Sequence, residues 1–273
     1  MEKSKLYSFL KRTVTALILI PVVIGCIFVG SPFILLLAML GVALLAWEWA
    51  NMVPNSRPSF HTAVYIFCAF FTLISIPAFT HFNIPMLLII GAVYLMALAL
   101  SFVKTKGEKN RGLLLLGIPY ISIGIAAVLA IYDFAGPFLL LWFMFVVWGV
   151  DIGGYIFGCS IKGPKLAPKI SPNKTWAGLI GGVILATAIS YGVVSFFSDN
   201  WNINMYYIYM AIILAVIAQI GDLIESYIKR RLGIKDSSNI IPGHGGIFDR
   251  IDGLIFAAPF AYIMLRCLPY IIR

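Results

Sequence analysis

The sequence predicts an all-α polytopic integral membrane protein with about nine transmembrane helices and a cytoplasmic N-terminus. Three observations carry that reading. The 273 residues are 61% hydrophobic and only 11% charged, whereas a soluble domain is roughly one quarter charged. Nine apolar segments can be drawn, at 13–29, 32–50, 61–79, 84–103, 112–132, 137–158, 175–197, 203–225 and 253–272. Each is long enough for a spanning helix of roughly 17–25 residues. The cations alternate between loops: eighteen of the 20 Lys and Arg fall on one side, and only Arg266 and Arg273 do not.

The elements follow in order. Lys3, Lys5, Lys11 and Arg12 precede the first segment. A charged start before an apolar run also describes a signal peptide, and "VIGC" at Val23–Cys26 resembles a lipoprotein cleavage box. A four-residue match arises easily in apolar sequence, so the segment is read as an uncleaved first span. "GSP" alone separates it from the second, which predicts a tight hairpin. Later inside loops hold Arg57, then Lys104, Lys106, Lys109 and Arg111, then Lys162, Lys165, Lys169 and Lys174. The last holds Lys229, Arg230, Arg231, Lys235 and Arg250, while "THFN", "DFAG" and "SDNWN" hold no cation. The positive-inside rule thus accounts for the net charge of +9, and no nucleic-acid partner is expected. Cys26, Cys68, Cys159 and Cys267 stand far apart with no CxxC pair, which argues against zinc or a disulfide framework. Loop chemistry divides the chain in two. Residues 1–110 read as an N-terminal transmembrane scaffold of about four helices. Residues 111–273 read as a transmembrane catalytic region of about five helices, with its site at the cytoplasmic membrane face.

Three polar features meet on that face. Asp151, in "WGVDIGGYIFG", is a carboxylate inside a predicted span, where insertion costs about 2.5–3.5 kcal/mol. It reads as functional, or else as an interhelical hydrogen bond. Gly153 and Gly154 beside it permit close approach of a helix or a ligand. In "KLAPKISPNKTWAG", Ser171 before Pro172 predicts a helix start, with Lys174 and Thr175 in its first turn. Amides and lysines there would hold an anion, against the plainer reading of a capped helix at the headgroups. In "QIGDLIESYIKRR", Asp222, Glu225, Ser226 and Lys229 share one helical face. "PGHGG", with Gly245 and Gly246, offers backbone amides to an anion. "DRID" sets Asp249 and Asp252 on one face of the last helix. Aspartates 222, 249 and 252 converging near a bilayer surface require a cation, and oxygen-only ligands select a hard one such as magnesium. Metal plus phosphate at a membrane surface means phosphoryl or nucleotidyl transfer to a lipid phosphate.

From Ser226 to Asp252 the chain resembles the motif of the phosphatidate cytidylyltransferases, the CDP-diacylglycerol synthases. The matching positions are Ser226, Ile228, Lys229, Arg230, Lys235, Asp236, Ser238, Ile241, Pro242, His244, Gly245, Gly246, Asp249, Arg250 and Asp252. "DIGGYIFG", "KLAPKISPNKTWAG" and "GDLIES" look like further blocks of that family. The resemblance implies the reaction of CTP with phosphatidate to give CDP-diacylglycerol and pyrophosphate. It implies Mg²⁺, with a second, monovalent cation as an option, and a homodimer in the cytoplasmic (inner) membrane. It implies a cation centre at Asp222 and Asp249 with Asp252 close by, and Lys229 and Arg250 as further catalytic groups. Asp151, Ser171, Lys174, Thr175, Ser226, Lys235, His244, Gly245 and Gly246 are the expected substrate and phosphate contacts.

Three rivals are weaker. A polyprenol- or phytol-type lipid kinase would share the architecture, but the intact H-G-G…D-R-x-D run argues against it. The CDP-alcohol phosphotransferase pattern is absent. An ion-coupled transporter would carry its carboxylates near the midplane between repeated halves, and no repeat is visible. Topology is directly testable once the four native cysteines are replaced. A cysteine at Ser238 is expected to react only with reagent on the cytoplasmic side, and one at Asp199 only from the opposite side. Reaction of both from one side would remove the nine-span arrangement.

Overall fold

The structure is a computed structural model and describes residues 2–55, 57–74, 84–106, 108–197, 201–241 and 245–271. The described helices are α1 (Glu2–Val29), α2 (Phe33–Met52), α3 (Pro58–Ile74), α4 (Ile84–Lys104), α5 (Arg111–Ser160), α6 (Trp176–Phe197), α7 (Trp201–Arg231) and α8 (Phe248–Ile271). Between α5 and α6 lies a short antiparallel pair, β1 (Lys165–Ala167) and β2 (Ser171–Thr175). The helices overlie the apolar segments read from the sequence. The hairpin is an addition to the all-α expectation.

Four helical stretches among the described residues are long and apolar enough to cross a membrane: Phe33–Met52, Arg111–Ser160, Trp176–Phe196 and Met205–Arg231, with mean hydropathy of 2.0 or more. Their outward faces are apolar too. Leu36, Leu40, Phe138, Ile180, Ile184 and Ile213 are all exposed, which suits hydrocarbon and not water. The chain is a membrane protein.

Helix α5 is two helices that meet at a kink. The sequence expects a loop at "DFAG"; there Gly136 alone leaves the helical region, at φ 83°, ψ 177°. Fifty helical residues measure about 75 Å, far beyond a bilayer core of about 30 Å. A single glycine in a conformation barred to most residues therefore does the work assigned to a loop.

The chain packs as two compact units, residues 1–130 with 232–251, and residues 131–231 with 252–273. In the first, Gly30 at φ 82° ends α1 and leads into α2, as "GSP" predicts. Trp49 of α2 donates from Nε1 to the Leu113 carbonyl at 3.0 Å, and the Tyr65 hydroxyl donates to the Leu114 carbonyl at 2.7 Å. Both rings press on Gly117, where a Cβ would meet Trp49 at 2.7 Å and Tyr65 at 2.9 Å. Trp49 also stacks on Tyr120 at 5.2 Å and meets Phe248 edge-on at 5.3 Å.

In the second unit, α5 and α6 cross on glycine. A Cβ on Gly153 would lie 2.7 Å from the Gly181 carbonyl, and one on Gly182 would lie 2.8 Å from the Val150 carbonyl. The close approach that Gly153 and Gly154 permit is thus made by another helix. Trp142 donates to Ser190 Oγ at 3.0 Å, and that hydroxyl donates to the Tyr207 carbonyl at 3.1 Å, which ties α5, α6 and α7 together. Helix α8 packs on α7 through Gly221, beside Phe256, and Gly253, beside the Ala218 carbonyl.

Gly153→Ala is expected to force backbone apart, at a cost on the scale of overpacking, about 1–3 kcal/mol. Thermal unfolding of the detergent-purified protein should show a lower midpoint, while Gly154→Ala, whose Cβ would meet nothing nearer than 3.8 Å, should leave it nearly unchanged.

Candidate active site

The segment before α6 folds differently from expectation. Ser171 does not cap a helix; it opens β2, with Ala167 as its partner. Pro172 holds Ser171 in extended backbone, which a cap and a strand share, and here the extended run continues to Thr175. Lys174 and Thr175 likewise lie in the strand and not in a first helical turn. The cap is Thr175, whose Oγ1 accepts the Gly178 N–H at 3.0 Å. The first amide of α6, on Trp176, donates to the Pro164 carbonyl at 3.1 Å. Two amides expected to face an anion are therefore engaged by the protein.

Moving Lys174 onto a strand redirects its side chain. The ammonium forms an ion pair with Asp222 Oδ2 on α7. Asp222 Oδ1 lies 3.4 Å from the Ser226 hydroxyl, a long contact one turn on. A further turn carries Glu225 and Lys229, paired at 2.5 Å between Oε1 and Nζ, both buried. The stripe of Asp222, Glu225, Ser226 and Lys229 thus stands as read, with its members joined in pairs.

Asp252 completes the cluster from α8. Asp222, Glu225 and Asp252 each offer a carboxylate oxygen, and these oxygens lie within 4.8 Å of one another. The charges that act on Asp252 are those of Asp222, Asp151 and Lys174, so Asp151 belongs to the same neighbourhood. At that spacing two carboxylates repel by about 3 kcal/mol at an effective dielectric constant near 20. Within this cluster Lys174 pairs with Asp222 and Lys229 with Glu225. A hard divalent ion fits this donor set. At about 2.1 Å from each oxygen it puts opposite ligands about 4.2 Å apart, so the oxygens need only small shifts. The hairpin that brings Lys174 is fastened to the same helix, since Arg230 Nε donates to the Ile170 carbonyl at 3.3 Å.

The glycine loop belongs to the first unit. Ile241 donates to the Gly245 carbonyl at 2.9 Å, an isolated antiparallel bridge. His244 lies outside the described residues. Asp249 Oδ2 accepts the Gly246 N–H at 2.8 Å and the Ser237 N–H at 3.0 Å. Gly245 has φ +83°, and a Cβ there would strike Asp249 Oδ2 at 2.7 Å. Lys235 and Arg250 are exposed.

Sequence reasoning missed Glu48. It lies on α2, is fully buried, and accepts four hydrogen bonds from the same loop: Ser237 Oγ at 3.2 Å, Ser238 Oγ at 2.5 Å, Ile247 N at 2.9 Å and Phe248 N at 2.8 Å. A Cβ on Gly246 would meet its Oε1 at 2.6 Å. The signal was present, for "WEW" puts a carboxylate inside a predicted span just as "GVDIG" does. Glu225 was seen on the stripe but not counted among the metal-binding groups.

A family model described as the cytidylyltransferase family matches residues 10–268. The chain belongs to that family. Among curated relatives, the phosphatidate cytidylyltransferase of Haemophilus influenzae is 36% identical over 279 residues, covering 92% of this chain and 96% of the relative. The phosphatidate cytidylyltransferases of Brucella suis and Rickettsia felis are each 34% identical, covering 92% and 93% of this chain and 91% and 90% of theirs. The match takes in Glu48 as well as the acidic cluster around Asp222.

The position of the cap is testable apart from activity. Thr175→Val is expected to cost about 1 kcal/mol, the usual scale for a lost N-cap, and to lower the thermal midpoint. Ser171→Ala should change it little. The reverse order would restore the helix start at Ser171.

Proposed function

We propose that the chain is a phosphatidate cytidylyltransferase, converting CTP and phosphatidate into CDP-diacylglycerol and pyrophosphate. The observation that carries this reading is the near-full-length match to relatives of that name. The joined carboxylates and lysines supply chemistry suited to the step. A phosphate oxygen of phosphatidate attacks the α-phosphorus of CTP. The new O–P bond forms as the bond to the α,β-bridging oxygen breaks, and pyrophosphate leaves with that electron pair. The attacking phosphate is already ionised near neutral pH, so alignment and charge neutralisation carry most of the rate.

The finer roles are proposals. Asp222 and Asp252, with Glu225, would hold magnesium, which supplies charge neutralisation at the phosphates. Asp249 is retained from the family likeness as a cation ligand, with a second, monovalent cation as an option. Lys174 holds Asp222 in place and offers its ammonium to the nucleotide phosphates, while Lys229 fixes Glu225 in the apolar helix. Ser226 steadies Asp222. Asp151, Ser171, Thr175, Lys235, His244, Gly245 and Gly246 are assigned to substrate, and Arg250 to catalysis, on the likeness alone. Residues 1–110 would serve as scaffold and 111–273 as catalytic region. We place the enzyme as a homodimer in the cytoplasmic membrane, with nine spans and the site facing the cytosol. The alternation of cations between loops supports that orientation.

The direct experiment supplies purified protein with phosphatidate and CTP labelled at the α-phosphate. Transfer of the label into lipid with release of pyrophosphate is expected. Transfer of the γ-phosphate instead would make the chain a lipid kinase. Asp222→Ala and Asp252→Ala should each abolish turnover while the protein still inserts and purifies, and chelation of divalent cations should do the same reversibly. Near-normal rates in either variant at saturating magnesium would remove the cluster from the mechanism. Lys174→Ala should lower kcat/KM for CTP on the order of a hundredfold, and Lys174→Arg should recover only part of it. A loss below about threefold, the scale of one lysine attracted to anionic headgroups, would assign Lys174 to the headgroup belt.

A further inference from the structure

We propose that Glu48 is a positioning residue for this reaction, acting as a clamp that sets the glycine loop and, through it, the start of the helix bearing Asp249. The proposal rests on the cytidylyltransferase reading for its kinetic part only.

Glu48 joins residues that are 189 to 200 positions away in the chain. Each of its oxygens accepts one hydroxyl and one backbone amide: Oε1 from Ser238 and Ile247, Oε2 from Ser237 and Phe248. It therefore grips the way into the loop and the way out of it at once. All four partners are donors, which is the pattern of a carboxylate acting only as acceptor. The two amides sit at the N-terminal end of α8, where unpaired N–H groups favour an anion. Asp249 grips the same two stretches a second time, through the amides of Ser237 and Gly246. Asp249 directly follows Phe248, so the backbone that Glu48 fixes is the backbone that aims Asp249.

The surroundings admit little freedom. Glu48 is fully buried, as is Trp49 beside it, whose ring packs on Phe248. Gly246 has no room for a side chain, because a Cβ would meet Ser237 Oγ and lie 2.6 Å from Glu48 Oε1. The clamp needs all three: the acidic side chain on α2, serines at 237 and 238, and glycine at 246. Glu48 touches none of the groups assigned to metal or lysine, and so acts only through the loop.

The test uses the full chain purified in detergent, comparing wild type with Glu48→Gln. The amide keeps the size but turns one acceptor into a donor facing donors. Hydrogen–deuterium exchange should show the Ile247 and Phe248 amides exchanging at least tenfold faster, with α3 and α6 unchanged. In the kinetic assay, kcat should fall at least tenfold, and the magnesium concentration giving half-maximal rate should rise at least threefold. A smaller amount of folded enzyme cannot shift that concentration. Ser237→Ala with Ser238→Ala removes only the two hydroxyl bonds and should give an intermediate change in both readouts. It serves as the deciding variant if Glu48→Gln does not purify. Unchanged exchange at 247–248 would overturn the clamp. Rates lost only in proportion to folded protein, with magnesium dependence unmoved, would overturn the positioning role. If wild type transfers no cytidylyl group, the parent reading fails, while the exchange measurement still decides the clamp.

Discussion

A carboxylate buried among apolar helices must be answered by the protein, because no water is available to it. Two answers stand within this chain. Glu48 is surrounded by neutral donors, two hydroxyls and two amides, and its lone pairs are consumed. Asp222 and Glu225 are answered by ammonium groups, and a third carboxylate, Asp252, stands close by. The first arrangement is complete in itself. The second gathers formal charges of both signs in one place, a setting suited to a cation and a polyanion. The difference lies in the donors. Hydroxyl and amide dipoles fix geometry without cancelling formal charge elsewhere, whereas lysine carries a whole charge that can be shared with an incoming phosphate.

Glycine makes such dense chemistry possible inside helices. Gly153 and Gly182 let α5 and α6 meet backbone to backbone, beside Asp151. Gly246 clears the space where Glu48 and Ser237 converge. Both save the distance that a side chain would add, and both put polar groups where only a close neighbour can reach them.

Much of this was legible in the residues. The apolar segments were long and distinct, so helix positions followed from hydropathy alone. The stripe Asp222, Glu225, Ser226 and Lys229 was legible because helical periodicity is rigid. Three features were not. The hairpin at Lys165–Thr175 is too short to show alternation, and Ser-Pro suits a helix start as well as a strand. The break at Gly136 involves one residue, and nothing local distinguishes it from a loop. Glu48 was hidden by distance, since its partners lie some two hundred residues away. A carboxylate in an apolar run announces that it has partners but not which ones.

The hairpin carries a consequence for its surroundings. Two paired strands leave outer N–H and C=O groups unmatched on both edges, and hydrocarbon does not tolerate such edges. Ser171–Thr175 must therefore face water, a water-filled cavity or protein, and not lipid. Lys174 belongs to that strand and touches Asp222. The strand thus keeps the acidic cluster one side chain's length from backbone that lipid cannot cover. A charged group can therefore sit beside the cluster without meeting hydrocarbon on that side.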